Sequence, residues 1–223
     1  MMKILSFQFA ILFLLFLKSV IGLAHVPVFL DRSTSFTQPF ILKPPLDKSI
    51  AIYTGFDHAD ETDVYQFTVN EQDLKTGKIE ILIGTLVPSC GPLKDLLISW
   101  ALTGPQQEAI NDQLKSEVLK KVIKENGEGA FLIENETQGK HWYEPYTRHH
   151  YFYQKRQKIK LSKPGIYRIF VWSKNSLAGD YVLEFGDKEI WELGDILYTL
   201  FVYPKLLFEA EIKTRNCTTS TLQ

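Results

Sequence analysis

Cysteine is scarce in this chain: there are two in 223 residues, Cys90 and Cys217. Standing so far apart, they form no CxxC pair that could seed a zinc ribbon or a dithiol centre. HExxH is missing too, so the helical zinc site of a metalloprotease has no sequence basis. GxSxG is missing as well, and Ser89 and Cys90 stand in a Pro-flanked turn with no base nearby in sequence. A surplus of either charge is lacking, since 25 Lys and Arg face 26 Asp and Glu. Such a chain has no general electrostatic pull toward nucleic acid or anionic lipid. Methionine occurs twice, both times at the extreme N-terminus, so everything after the leader is built without it. No internal repeat, low-complexity tract or linker stands out beyond residue 24.

What is present begins with an export signal. Lys3 supplies a positive start, Ile4–Leu17 is apolar apart from Ser6 and Gln8, and Gly22 and Ala24 offer small residues for cleavage. The run is short of the roughly 20 residues that a membrane span needs. Residues 1–24 therefore read as a signal peptide, with an uncleaved membrane anchor as the alternative, and 25–223 as one domain outside the cytoplasm. An apolar content of 45% with 13% aromatics provides a full core.

Alternation of period two marks the strands. It is clearest in Gly165–Gly186, where Tyr167, Ile169 and Val171 share one face, as do Tyr181, Leu183 and Phe185. The loop from Asn175 to Gly179 makes these arms read as an antiparallel hairpin. Further strands are predicted at 49–54, 63–69, 78–83, 96–102, 130–134 and 157–161. Tyr65, Phe67, Tyr167, Ile169, Val171, Tyr181 and Leu183 are expected to point inward. One segment departs from this period: across 106–125, Ile110, Leu114, Val118 and Val122 recur every four residues opposite Lys and Glu, which predicts an amphipathic helix. The apolar stretch Ile190–Ile212 reads as a C-terminal helix or strand against the domain, with peripheral membrane contact as its other use.

The arms of Gly165–Gly186 resemble the closing "PGxYxxxVW…GxYxLxxG" element of the bacterial pre-peptidase C-terminal domain. DETDVYQFTV (Asp60–Val69) is similar to the strand "G-D-x-D-x-Y-x-F-x-V" of the same domain. ALTGP (Ala101–Pro105), YEPYT (Tyr143–Thr147) and KPGIYRIFVW (Lys163–Trp172) also resemble elements of a group of exported bacterial proteins of unassigned function. That group usually carries a Pro-rich loop where this chain has its 106–125 segment. The resemblance implies an all-β fold, an antiparallel jelly-roll or Ig-like β-sandwich, here with one inserted helix and an apolar C-terminal element. It implies no activity, because none of these motifs is catalytic in the family.

Candidate sites are of four kinds. Asp57, Asp60, Glu61 and Asp63 crowd one turn, and calcium takes about six to eight oxygens from such arrays; some collagen-binding members of the resembled family carry calcium near their N-terminal strands. Trp142, Tyr143, Tyr146 and Tyr151, with Tyr153 nearby, could form a contact platform for an extracellular protein or glycan. Glu144 is the one acid set among them. Cleavage after Ala24 would leave His25 at the N-terminus, where its amine and ring, with His141, His149 or His150, would make a copper site like that of lytic polysaccharide monooxygenases. Adjacent His149 and His150 on a strand face opposite sides. In an oxidising compartment Cys90 and Cys217 would pair, and in a eukaryotic secretory route Asn135 and Asn216 would be glycan acceptors. The reading that follows is an exported, non-enzymatic binding or structural module, with a secreted metal-dependent or carbohydrate-active enzyme as the alternative.

Overall fold

A computed structural model of the chain describes residues 25–31, 33–75, 79–105, 129–144, 147 and 149–201. The leader 1–24, the expected helix 106–125 and the C-terminal stretch beyond 201 lie outside the described residues.

Two sheets face each other. The strands are β1 (Val26–Phe29), β2 (Phe40–Ile41), β3 (Ile50–Phe56), β4 (Thr62–Val69), β5 (Ile79–Pro88), β6 (Ile98–Gly104), β7 (Gly129–Ile133), β8 (His141–Glu144), β9 (His149–Tyr153), β10 (Gln157–Leu161), β11 (Gly165–Ser173) and β12 (Gly179–Phe185). The first sheet runs β1-β3-β12-β5-β9-β8, with β10 also on β5, and the second runs β2-β4-β11-β6-β7. The edge strands β1 and β2 pair in parallel with β3 and β4, while the other pairings are antiparallel. Periodicity did not mark either edge strand, because four and two residues are too few to set a period.

The core lies between the sheets. Tyr65, Phe67, Tyr167, Ile169, Val171, Tyr181 and Leu183 all point into it and are essentially inaccessible to water, as their alternation predicted. Rings pack there in pairs: Phe67 stacks on Tyr167 at 5.4 Å and Phe56 on Tyr181 at 4.8 Å.

One expectation is corrected. β11 and β12 are not a hairpin: β11 pairs with β4 and β6 in the second sheet, and β12 with β3 and β5 in the first. The loop between them is an arch that carries the chain from one sheet to the other. Alternation reports which face of a strand is apolar, and both arms show the same pattern whether they pair or pack face to face.

The line β9–β10 is one strand broken beside β5. Tyr153 lies opposite Leu86 and Gln157 opposite Ile83, so this side carries one residue more than β5, which is a bulge. Gln154 turns inward at the break and satisfies it. Its Nε2 donates to the Leu96 carbonyl at 2.8 Å, and its Oε1 accepts from the Ile98 amide at 2.9 Å. Arg156 is thereby left on the outer face of the first sheet.

Candidate functional site

The outer face of the first sheet, normally the wet side of a sandwich, is here partly a second core. Ala51, Leu86, Tyr151 and Val182 are buried on it, with Tyr53, Trp142 and Tyr153 packed around them. Five strands supply these groups: β3, β5, β8, β9 and β12. The β8–β9 hairpin brings Trp142 opposite Tyr151 and Tyr143 opposite His150.

Glu184 lies in the middle of this apolar patch and is 2% exposed. Its Oε1 is 3.5 Å from Nε2 of His25, which enters just before β1. Its Oε2 is 2.8 Å from Nε of Arg156, close enough for an ion pair but without an aligned hydrogen bond. Gly84 makes this possible, since a Cβ there would meet Arg156 Cγ at 2.7 Å and Glu184 Oε2 at 2.8 Å. Burial raises the Glu184 carboxyl from 4.5 to about 7, against the pull of Arg156. Burial, and then the Arg156 charge, lowers His25 to about 4, so its imidazole is neutral near pH 7. The His25–Glu184 contact is therefore dipolar there, not a salt bridge.

His25 Nδ1 also hydrogen-bonds Ser49 Oγ. Serine, histidine and carboxylate thus stand in the order of a hydrolytic triad, but Ser49 is 2% exposed and is absent from the lining of the adjacent cavity. A nucleophile that no substrate reaches does not act. That cavity, between His25, Tyr53, Trp142, Glu144, Tyr151 and Glu184, offers about 10 Å³. This is room for one water-sized group and not for a sugar ring.

The other side of the same hairpin is open. Tyr143 is 45% exposed, with its ring 5.0 Å from His150. His150 stacks on His141 at 4.8 Å, and His141 meets Phe152 at 5.5 Å. Of the predicted platform, Tyr143 belongs to this ladder, Trp142 and Tyr151 face Glu184, and Tyr146 lies outside the described residues. The ring pairing of His150 with Tyr143 and His141 was legible only as an aromatic run. Glu184 was missed, because one acid in an alternating strand reads as a solvated side chain.

The acidic turn does not act as one group. Asp63 is fully buried and accepts hydrogen bonds from the Tyr181 hydroxyl at 2.6 Å, the Thr34 amide at 2.7 Å and the Thr34 hydroxyl at 2.9 Å. Asp57 and Asp60 are exposed, and Glu61 accepts from the Asp57 amide at 2.6 Å. Among the described residues no three His, Cys, Asp or Glu side chains form a group that would hold a metal. Asn135 is 1% exposed, donates from Nδ2 to the Ile98 carbonyl and accepts from the Lys155 amide at 2.8 Å, so a glycan on that nitrogen is incompatible with this packing. Asn216 and Cys217 lie outside the described residues. Among the described residues no helix is long and apolar enough to cross a membrane.

A two-sheet β-sandwich is the class that these observations define. No protein-family model matches the chain, and no curated protein matches it. Among solved structures it is similar to the pre-peptidase C-terminal domain of collagenase from Bacillus anthracis, at 16% identity and a TM-score of 0.34, over 70% of this chain and 99% of that domain.

Proposed function

We propose that this chain is an exported, non-enzymatic binding module that meets an extracellular protein or glycan through the β8–β9 hairpin. The observation that carries this reading is the ring ladder of Tyr143, His150, His141 and Phe152 at the rim of the first sheet, with Tyr143 and both histidines exposed. Stacked rings on a fixed strand pair offer contact area at little cost in side-chain entropy, and aromatic anchors carry much of the energy of recognition. Among the described residues nothing comparable supports turnover. The two acids that share a cavity, Glu144 and Glu184, leave about 10 Å³ between the walls, too little for a glycoside.

The test is co-sedimentation of the full chain with a panel of insoluble polysaccharides and immobilised extracellular-matrix proteins. Retention on one of them is expected, with Tyr143→Ala and His150→Ala each weakening it by about 1–3 kcal/mol and leaving the melting temperature unchanged. Retention that ignores both substitutions, or release of soluble sugar from any polysaccharide, would overturn the reading.

A further inference from the structure

Residues 193–201, LGDILYTLF, are helical, and their two sides differ sharply in exposure. On the inner side the Asp195 carboxylate accepts from Lys48 Nζ, Thr199 is fully buried, and Ile196 and Leu200 are half-buried. Helical periodicity puts Leu193, Gly194, Leu197, Tyr198 and Phe201 together on the opposite side. That side is open: Leu193 is 74% exposed, Leu197 49%, Tyr198 41% and Phe201 83%. A Cβ at Gly194 would meet nothing within 4 Å. No charged residue lies on this outward arc. A contiguous apolar face held outward by a docked inner side marks a contact with something beyond the domain.

The two most exposed side chains, Leu193 and Phe201, stand at opposite ends of the helix, about 12 Å apart along its axis. Exposure at both ends means that the helix lies along the surface of the molecule, so a flat apolar boundary touches its whole length. A second protein is a poorer match. A stable pair buries roughly 800 Å² and about 20–30 residues on each side, and four apolar side chains on one short helix supply a small part of that. Lipid sets no such threshold, because each side chain that enters the boundary between headgroups and acyl chains leaves water on its own account. Leu and Phe suit the acyl side of that boundary, and the Tyr198 ring with its hydroxyl suits the headgroup level. The helix has no Lys or Arg, and its one charged residue, Asp195, is paired with Lys48. Attraction to anionic headgroups therefore has no source on this helix.

We propose that the outward face of the 193–201 helix is a membrane-contact surface, lying in the interface of a zwitterionic lipid bilayer and held there by apolar insertion alone. It rests on the bilayer and does not cross it, since no helix among the described residues is long and apolar enough to do so. The surface shares no residue with the β8–β9 hairpin, so the binding reading above stands or falls without it.

Flotation of the full chain with phosphatidylcholine vesicles tests it. The chain is expected to float, with a partition that changes less than about twofold from about 0.05 to about 0.5 M salt and is not raised by added phosphatidylglycerol. Leu197→Glu and Phe201→Ser are each expected to lower the partition about tenfold or more, and Leu197→Phe to keep it. Both positions are exposed, so hydrogen exchange of the strands is expected to stay as in the wild type. Phe201→Ser, at the more exposed position, carries the test if Leu197→Glu disturbs the helix. A wild-type chain that does not float, flotation that both variants retain, or flotation that requires anionic lipid and is abolished by salt overturns the proposal. A dimer in sedimentation velocity that Leu197→Glu converts to monomer assigns the face to a second copy and overturns it as well.

Discussion

Glu184 occupies a position where a carboxylate costs free energy, and that cost depends on pH. Its folded value, about 7, lies above its ordinary 4.5. Between those limits the folded protein holds a proton that the unfolded chain has released, so this residue's contribution to stability falls as pH rises across the window and stays constant above it. His25 works in the opposite sense, because its value is lowered from 6.5 to about 4 and its contribution rises with pH over that range. Comparing the wild type with Glu184→Gln cancels the histidine. Urea unfolding from pH 4.5 to 7 is expected to show the wild type losing up to about 3 kcal/mol relative to the glutamine variant. Parallel profiles would mean that Glu184 does not titrate in the window. Asp63 is the inner counterpart: burial raises its carboxyl too, but three donors hold it. Asp63→Ala would strand the Tyr181 and Thr34 donors, at a cost of about 2–4 kcal/mol by thermal or chemical unfolding. A cost under about 0.5 kcal/mol would show that water replaces the carboxylate without penalty.

At the scale of elements, the helix at 193–201, α1, docks through a mixed side. Asp195 bonds Lys48 at 2.5 Å, Thr199 is fully buried, and Ile196 and Leu200 are half-buried. Leu193, Leu197 and Phe201 face outward at 74%, 49% and 83% exposure, so only part of the apolar area of α1 is buried and the partly buried Lys48–Asp195 ion pair shares in its docking. Asp195→Ala is expected to release α1, seen as lost hydrogen-exchange protection over 193–201 while the strands keep theirs. Leu197→Glu is expected to leave both unchanged, within about 0.5 kcal/mol. The reverse pattern would place the anchoring in the apolar side. The interior of the sandwich was legible because its long strands repeat a period of two over five or more residues, as in β4, β11 and β12. The outer-face site was not, since His25, Glu144, Arg156 and Glu184 come from four separate stretches. Their meeting is a consequence of strand order, which periodicity does not encode.

For the whole molecule, the predicted pairing of Cys90 with Cys217 would tie the C-terminal stretch to the sandwich. Cys90 ends the crossing from β5 and opens the 3-10 turn Gly91–Asp95, at the pole where the β11–β12 arch also turns. Ser89 beside it is held by the His150 carbonyl at 2.9 Å, so this anchor point is part of the same structure as the β8–β9 hairpin. A bridge from Cys90 to Cys217 would close a loop that contains seven of the twelve strands, β6 to β12, and would restrain the unfolded chain strongly. In the chain-entropy account a loop of that length adds about 5 kcal/mol, as an upper figure. Reduction is therefore expected to lower the unfolding midpoint in urea and to leave the two-sheet core folded at neutral pH, with two thiols appearing on titration under denaturant only after reductant is added. Because the anchor adjoins the hairpin, Cys90→Ala is also expected to loosen His150 and Tyr143 and weaken surface retention with little change in the core. Two thiols that react in denaturant without reductant would remove the bridge, and with it this coupling between the C-terminal stretch and the contact face.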